Sequence, residues 1–455
     1  MSNTLIIGIF FVSIFILMFG IIKLKMNSGV MMLITAILTG IMLRMTSSEL
    51  ISTVASGFGN MMAALGLVVG LGSILGGILE ESGATNQLAL SMLKRFGSSR
   101  ANVALNATGF LVSIPVFMGP AYIILNPICT TLAKFTKKHV MGYTTALVVG
   151  LMVTHCLVIP TPGPLAVAGS LGANIGLFIL YSLIVSVPAS LCGGLLYGNY
   201  LTKKYSSTDA IDNVSDEDAI KEIEKISKEK HPSAGTAIFL IFLPILLILF
   251  ATIAPYVTDS AAVASICTFL SASNGVGALL ISVLAAWLML RKYIDKTPAK
   301  IFSSSLNDVG DIFFILAASG SYGAVISASG IGTVLGNVIS GSSIPLFVMA
   351  FILSVLLKAA LGSSATALVT TATLIQPMIA VSGANPIIVG LAVCLGGLGI
   401  CLPTDGAFWQ VKEFNGLTMK ETFVAHTGGN LIACIVGFVT LCILAACSGF
   451  LPGLS

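Results

Sequence analysis

Residues 344–371 read IPLFVMAFILSVLLKAALGSSATALVTT, and this stretch decides the fold. It opens as an unbroken apolar run over 344–357 and then stops at Gly362-Ser363-Ser364. Five Ser and Thr residues fall between Ser363 and Thr371, and Pro377 follows. Glycine and proline at this density break or bend a helix. Lipid tolerates free backbone groups only where protein or a watery cavity covers them. The pattern is that of a helix interrupted inside a membrane.

The rest of the chain has the same character. Of its 455 residues 56% are hydrophobic and 9% charged, where a soluble globular protein carries about 25% Asp, Glu, Lys and Arg; the mean hydropathy is +1.03. A water-facing surface cannot be built from that, which excludes a soluble enzyme, a nucleic-acid binder and a disordered scaffold. Other apolar spans run near 5–22, 29–43, 141–159, 176–197, 236–254, 275–290, 385–402 and 430–447, with Gly- or Pro-interrupted ones over 61–79 and 102–133. A crossing takes about 20 residues, or about 30–35 with its loop, so the chain has room for roughly 12. The runs are long rather than alternating, and the expected fold class is an all-α polytopic membrane protein, not a barrel. Most of the nine cysteines lie in apolar stretches and read as small core residues. Leu5 to Ile22 reads as a retained first span, since no basic region or cleavage site accompanies it.

The net charge of +4 names no polyanionic partner, and the positions of the charges carry more. Fourteen of them fall between Lys203 and Lys230, and Ala219 to Lys230 reads as a short solvated helix in a polar linker. Lys and Arg also gather at Lys23 and Lys25, Lys94 to Arg100, Lys134 to Lys138 and Arg291 to Lys300. The positive-inside rule puts these loops in the cytoplasm and the N-terminus outside, in a multi-pass protein of the cell membrane in contact with lipid. The expected organisation is N-terminal scaffold spans over 1–49, a first repeat half over 50–201, a charged linker over 202–234, scaffold spans over 235–300, and a second repeat half over 301–455.

The halves repeat. Pro160-Thr161-Pro162-Gly163 recurs as Pro403-Thr404-Asp405-Gly406, and Gly119 falls at the same offset from Gly362. Ser82-Gly83 pairs similarly with Ser329-Gly330, and Gly76 with Gly323. Corresponding interruptions in two halves point to a transporter binding site.

The chain has no Walker loop and no His-Glu-x-x-His zinc motif, so neither a cofactor nor a metal is expected. The runs Gly70 to Gly76 and Gly330 to Gly336 are read as close helix packing. At a helix interruption the free N–H groups and positive dipole end can hold an anion. Ser363, Ser364 and Thr366 around Gly362 supply hydroxyls for this, and Gly119 with Tyr122 forms the counterpart in the first half. Thr161, Gly163 and Thr404 complete the candidate contacts. Ionisable residues near spans are few. Asp405 is either a proton carrier or a water-facing loop acid; His155 is either its understudy or a packing residue. Lys358 either attracts an acidic substrate or snorkels to the headgroups, and Glu80 and Glu81 read as interfacial.

These motifs resemble the gluconate permease family, the gluconate:proton symporters of a larger ion transporter superfamily. The resemblance runs from Ile22-Lys23-Leu24-Lys25-Met26-Asn27 through Thr154-His155 and Pro160-x-Pro162-Gly163-Pro164 to Ala360-Leu361-Gly362-Ser363 and Asp405-x-x-Phe408-Trp409-x-x-Lys412-Glu413. It implies two inverted repeats, helical hairpins entering from opposite sides, and an elevator-like transport domain moving against a scaffold in a homodimer. It also implies proton-coupled uptake of small hydroxylated carboxylates, namely sugar acids and, in some members, D-serine. The chain departs from the family pattern at Gly119, where an acidic residue is usual, and at Thr161, where His is usual. Asp405 then stands as the expected coupling acid. The expected function is symport of a small organic anion with H+. The alternatives are a Na+-coupled dicarboxylate or amino-acid carrier and an anion channel.

Overall fold

The structure, a computed structural model, describes residues 3–205, 231–258, 260–328 and 344–454. Most of the expected charged linker lies outside these residues, including its Ala219 to Lys230 helix; so do Ser329-Gly330 and the run Gly330 to Gly336. Among the described residues the chain is helical and has no strand.

Three helices open the chain: α1 (Asn3–Ile22), α2 (Ser28–Met42) and α3 (Ser47–Glu81), the last with a π-helical turn at Met62–Gly66. A short α4 (Ala84–Phe96) leads to α5 (Ala101–Val112) and α6 (Met118–Thr136), which are joined by a non-helical tip. Next come α7 (Val140–Leu157), α8 (Pro162–Ser170) and α9 (Ile175–Lys204). Beyond the linker stand α10 (Ala234–Ile253), α11 (Ala261–Leu290), α12 (Pro298–Asp308) and α13 (Gly310–Ala328). A second tip joins α14 (Leu346–Leu361) to α15 (Ser364–Ser382), and α16 (Pro386–Leu398), α17 (Gly406–Asn415) and α18 (Met419–Ala446) complete the order. Twice, then, two helices meeting at a non-helical tip precede a helix interrupted midway, at residues 158–161 and again at 399–405.

Local chemistry sets the helix starts. Asn27, Thr46, Asn174, Ser233, Ser363, Asn385 and Asp405 each turn a side-chain oxygen onto first-turn N–H groups of the helix that follows. Thr418 and Glu421 form a reciprocal capping box at the start of α18. In α11, Asn274 and Gly275 both take positive φ, and Asn274 Nδ2 donates to the carbonyl of Ala64 in the π turn of α3.

Among the described residues, seven helical stretches are long and apolar enough to cross a membrane, and six shorter apolar helices accompany them. On α18, Leu431, Ile435, Val439 and Ile443 stand exposed in one stripe at four-residue spacing, as Phe11, Phe15 and Phe19 do on α1. Such stripes suit lipid, not water. Between helices there is no apolar driving force in lipid, so small residues and polar bonds hold them. Gly57 of α3 and Gly320 of α13 each face the other's carbonyl closely enough that a Cβ would lie 2.5 and 2.4 Å from it. Buried Asn106 of α5 donates to the Ala146 carbonyl of α7 at 2.9 Å. The run Gly70 to Gly76 does pack closely. A Cβ on Gly72 would lie 3.2 Å from the Pro160 carbonyl and one on Gly76 2.5 Å from that of Pro115, so one face of α3 carries both interruptions of the first half.

Candidate functional site

The interruptions converge on a cavity of about 490 Å³. Phe117, Met118, Gly119 and Pro120 line it from the first tip; Leu361, Ser363, Ser364 and Ala365 from the second. Thr404, Asp405, Gly406, Ala407 and Gln410 come from the second broken helix, Met152 and His155 from α7, and Ile312 from α13.

Three helices, α6, α15 and α17, point their N-terminal ends at this one space. The Phe117 side chain makes no cap on α6, while Ser363 Oγ accepts from the Thr366 N–H at 3.3 Å and Asp405 Oδ1 from the Ala407 N–H at 2.9 Å. The remaining first-turn donors and the dipole ends give the cavity positive character suited to an anion. Gly362 makes the second tip possible. Its φ is +79°, and a Cβ there would lie 2.1 Å from the Thr404 carbonyl oxygen.

Lys358 neither snorkels nor reaches the cavity. It is completely buried, and its ammonium donates to Asp405 Oδ2 at 2.5 Å and to the Gly362 carbonyl at 2.6 Å. The charge therefore sits at the C-terminal end of α14, where the helix dipole favours a cation, and it clamps the second tip to the loop before α17. Asp405 is a buried partner in an ion pair and a helix cap, not a water-facing acid.

Behind the pair stands His426, on the π-helical turn Phe423–Thr427 of α18 and fully buried. Asn430 Nδ2 is oriented by the His426 carbonyl at 2.9 Å and lies 3.2 Å from His426 Nδ1. An amide nitrogen only donates, so Nδ1 accepts and the neutral ring carries its proton on Nε2. Cys401, Asp405 and His426 offer one donor atom each within 4.8 Å of one another, the one group of this kind among the described residues. The Lys358 ammonium already holds the carboxylate and Nε2 is protonated, so the donor set does not fit a metal ion.

Of the residues singled out in the sequence, Gly119, His155, Ser363, Ser364, Thr404 and Asp405 line the cavity. Gly362 shapes its wall from behind. Tyr122 is fully buried and its hydroxyl accepts from Asn415 Nδ2 at 2.5 Å, away from the cavity. The Thr161 hydroxyl donates to the Val158 carbonyl, and Gly163 packs against Leu368, which a Cβ would meet at 2.9 Å. Thr366 meets Ser363 through its backbone. Gln410 and His426 escaped sequence reading. Gln410 lies one turn beyond Gly406, a spacing that marks it as sharing that face; His426 is an ionisable residue entering an apolar span. Glu81 lies against Lys296 at 2.5 Å, beside a second cavity of about 300 Å³ that shares Pro120 with the first.

A family model described as GntP family permease matches residues 4–447. The chain belongs to this family. It is therefore a permease rather than an enzyme, and a multi-pass protein of the cell membrane. An uncharacterized permease of Haemophilus influenzae is 32% identical over 94% of this GntP family chain and 90% of its own length. The D-serine transporter DsdX of Escherichia coli is 29% identical, covering 96% and 97%. The gluconate permease of Bacillus subtilis is 28% identical, covering 94% and 97%. The fold is similar to that of the YdaH transporter of Alcanivorax borkumensis, with a TM-score of 0.63, 16% identity and 89% of both chains covered.

Proposed function

We propose that this permease is a secondary active symporter that takes up a small organic anion, gluconate or a related sugar or hydroxy acid, driven by H+. The observation that carries this reading is the convergence of three helix N-termini with the Ser363, Ser364 and Thr404 side chains on one cavity. Free N–H groups suit a carboxylate, and hydroxyls suit a polyol. Substrate contact is assigned to Gly119, Ser363, Ser364 and Thr404, with Gly362 shaping the wall from behind; Thr161, Gly163, Thr366 and Tyr122 stand outside the lining. Asp405 is the coupling acid, with His155 beside it in the cavity lining. The two hairpin-plus-broken-helix units, carrying basic clusters at the ends of the first, support inverted repeats. In this reading they form a transport domain that moves elevator-like against a scaffold within a homodimer.

A second reading is uptake of D-serine or a similar amino acid, with H+ or Na+, and the likeness to DsdX favours it. Counterflow in proteoliposomes with labelled D-gluconate or D-serine, at two pH values and with or without Na+, tests both. Exchange and pH-driven accumulation of gluconate are expected. Conduction without accumulation would make the protein a channel.

A further inference from the structure

We propose that Lys358 is the fixed positive charge that ties anion binding to protonation of Asp405, so that substrate and proton load the site together. The proposal rests on the symport reading above and supplies its coupling step. Asp405 is the one Asp, Glu, Lys or Arg residue lining the cavity among the described residues. Lys358 stands directly behind it, wholly buried, with its ammonium shared between Asp405 Oδ2 and the Gly362 carbonyl. The carboxylate thus lies between the ammonium and the space where a substrate would sit.

At rest the pair is neutral. An anion arriving alone would add an uncompensated negative charge beside Asp405, and a proton arriving alone would strand the Lys358 ammonium. Both are strongly unfavourable in a buried setting. Arriving together they restore neutrality. A proton from water moves onto Asp405 Oδ2, and the bond from Lys358 to that oxygen is given up. The ammonium keeps its three hydrogens and its bond to Gly362. The substrate carboxylate, in the cavity beyond, becomes the charge that balances it.

The other titratable groups facing the pair are the Cys156 thiol of α7, the Cys401 thiol of the loop before α17, His155 of α7 and His426 of α18. None carries a permanent charge, and Asn430 holds His426 as its neutral Nε2–H tautomer. A zwitterion behaves differently. Its own ammonium can meet Asp405 while its carboxylate balances Lys358, so it needs no proton.

The test measures binding and proton uptake together on the purified full-length protein, by calorimetry in two buffers of different ionisation enthalpy. The probes are D-gluconate and D-serine, with wild type, Lys358→Met, Asp405→Asn and the double variant. In wild type, gluconate binding is expected to take up about one proton and D-serine binding none. Asp405→Asn should bind gluconate without proton uptake. Lys358→Met should bind gluconate about tenfold more weakly or worse near neutral pH. The double variant has no buried charge to strand and is expected to fold even if a single variant does not; it should bind gluconate weakly and without a proton. Wild-type affinity and proton uptake in Lys358→Met, or wild-type proton uptake in the double variant, overturns the role of Lys358 while leaving the transport reading intact. If wild type binds neither probe at pH 5.5 or 7.5, the substrate reading falls and this inference falls with it.

Discussion

Gly362 faces the Thr404 carbonyl at a distance that leaves no room for a side chain: a Cβ would lie 2.1 Å from its oxygen and 2.8 Å from the Asp405 nitrogen. The second tip and the second broken helix therefore meet backbone to backbone. Gly362→Ala combines this clash with a positive φ that L side chains rarely adopt. It is expected to cost roughly 2–4 kcal/mol of stability and to open the cavity wall. Thermal melting in detergent, with and without D-gluconate, reads both effects; an unchanged melting temperature would show that the two segments part easily.

Ser363→Ala with Ser364→Ala removes the cap on α15 and two hydroxyls from the cavity. Loss of the cap should cost about 0.5–2 kcal/mol, and ligand-induced stabilisation by gluconate should shrink well beyond that. Equal stabilisation of variant and wild type by gluconate would move the site elsewhere.

Asp405→Asn removes the one carboxylate that lines the cavity among the described residues and leaves Lys358 able to balance an anion. Proton-driven accumulation should be lost while substrate exchange persists. Counterflow separates the two, and full accumulation by the variant would place coupling at another residue.

Tyr122→Phe separates position in sequence from position in space. The hydroxyl bonds Asn415 and does not line the cavity, so the change should cost about 0.5–1.5 kcal/mol of stability. Gluconate affinity should stay within twofold. A larger loss of affinity in isothermal titration would return Tyr122 to the substrate.

Lys296 and Glu81 form an ion pair outside the cavity. The hydrogen bond to Glu81 raises the Lys296 pKa above its usual value. A raised lysine contributes stability that is present below the unfolded-state pKa and lost as pH rises through the folded one. Lys296 is half exposed, so Glu81→Gln should cost under about 1 kcal/mol at neutral pH. The difference from wild type should fade in about 1 M salt and again above the folded-state pKa. Melting curves across salt and pH check this, and a deficit insensitive to both would mean that Glu81 acts by packing.

What could be read from the sequence was whatever violates local expectation. Gly362-Ser363-Ser364 interrupts an apolar run, and Pro403-Thr404-Asp405-Gly406 repeats an earlier loop; both reach the cavity. Direction and distant partners could not be read that way. Tyr122 follows Gly119 by three residues, close to one helical turn, yet its ring turns toward α17, because packing and not spacing sets where a side chain points. Lys358, read locally, is a lysine at the end of an apolar run, the usual setting for snorkelling. Its partner is 47 residues away, and only the fold brings the two together. His426 was hidden by the same logic, since Cys401 and Asp405, which it meets in space, come from the loop before α17.

The glycine face of α3 has a mechanical meaning. Gly72 and Gly76 lie one turn apart and rest on carbonyls of two separate interruptions, at Pro160 and Pro115. A single helical segment thus serves as the common datum for both. If the segments around the cavity travel, the first-half interruptions cannot drift relative to each other without leaving that helix, and a binding site carried in this way would arrive on the far side with its first half still in register.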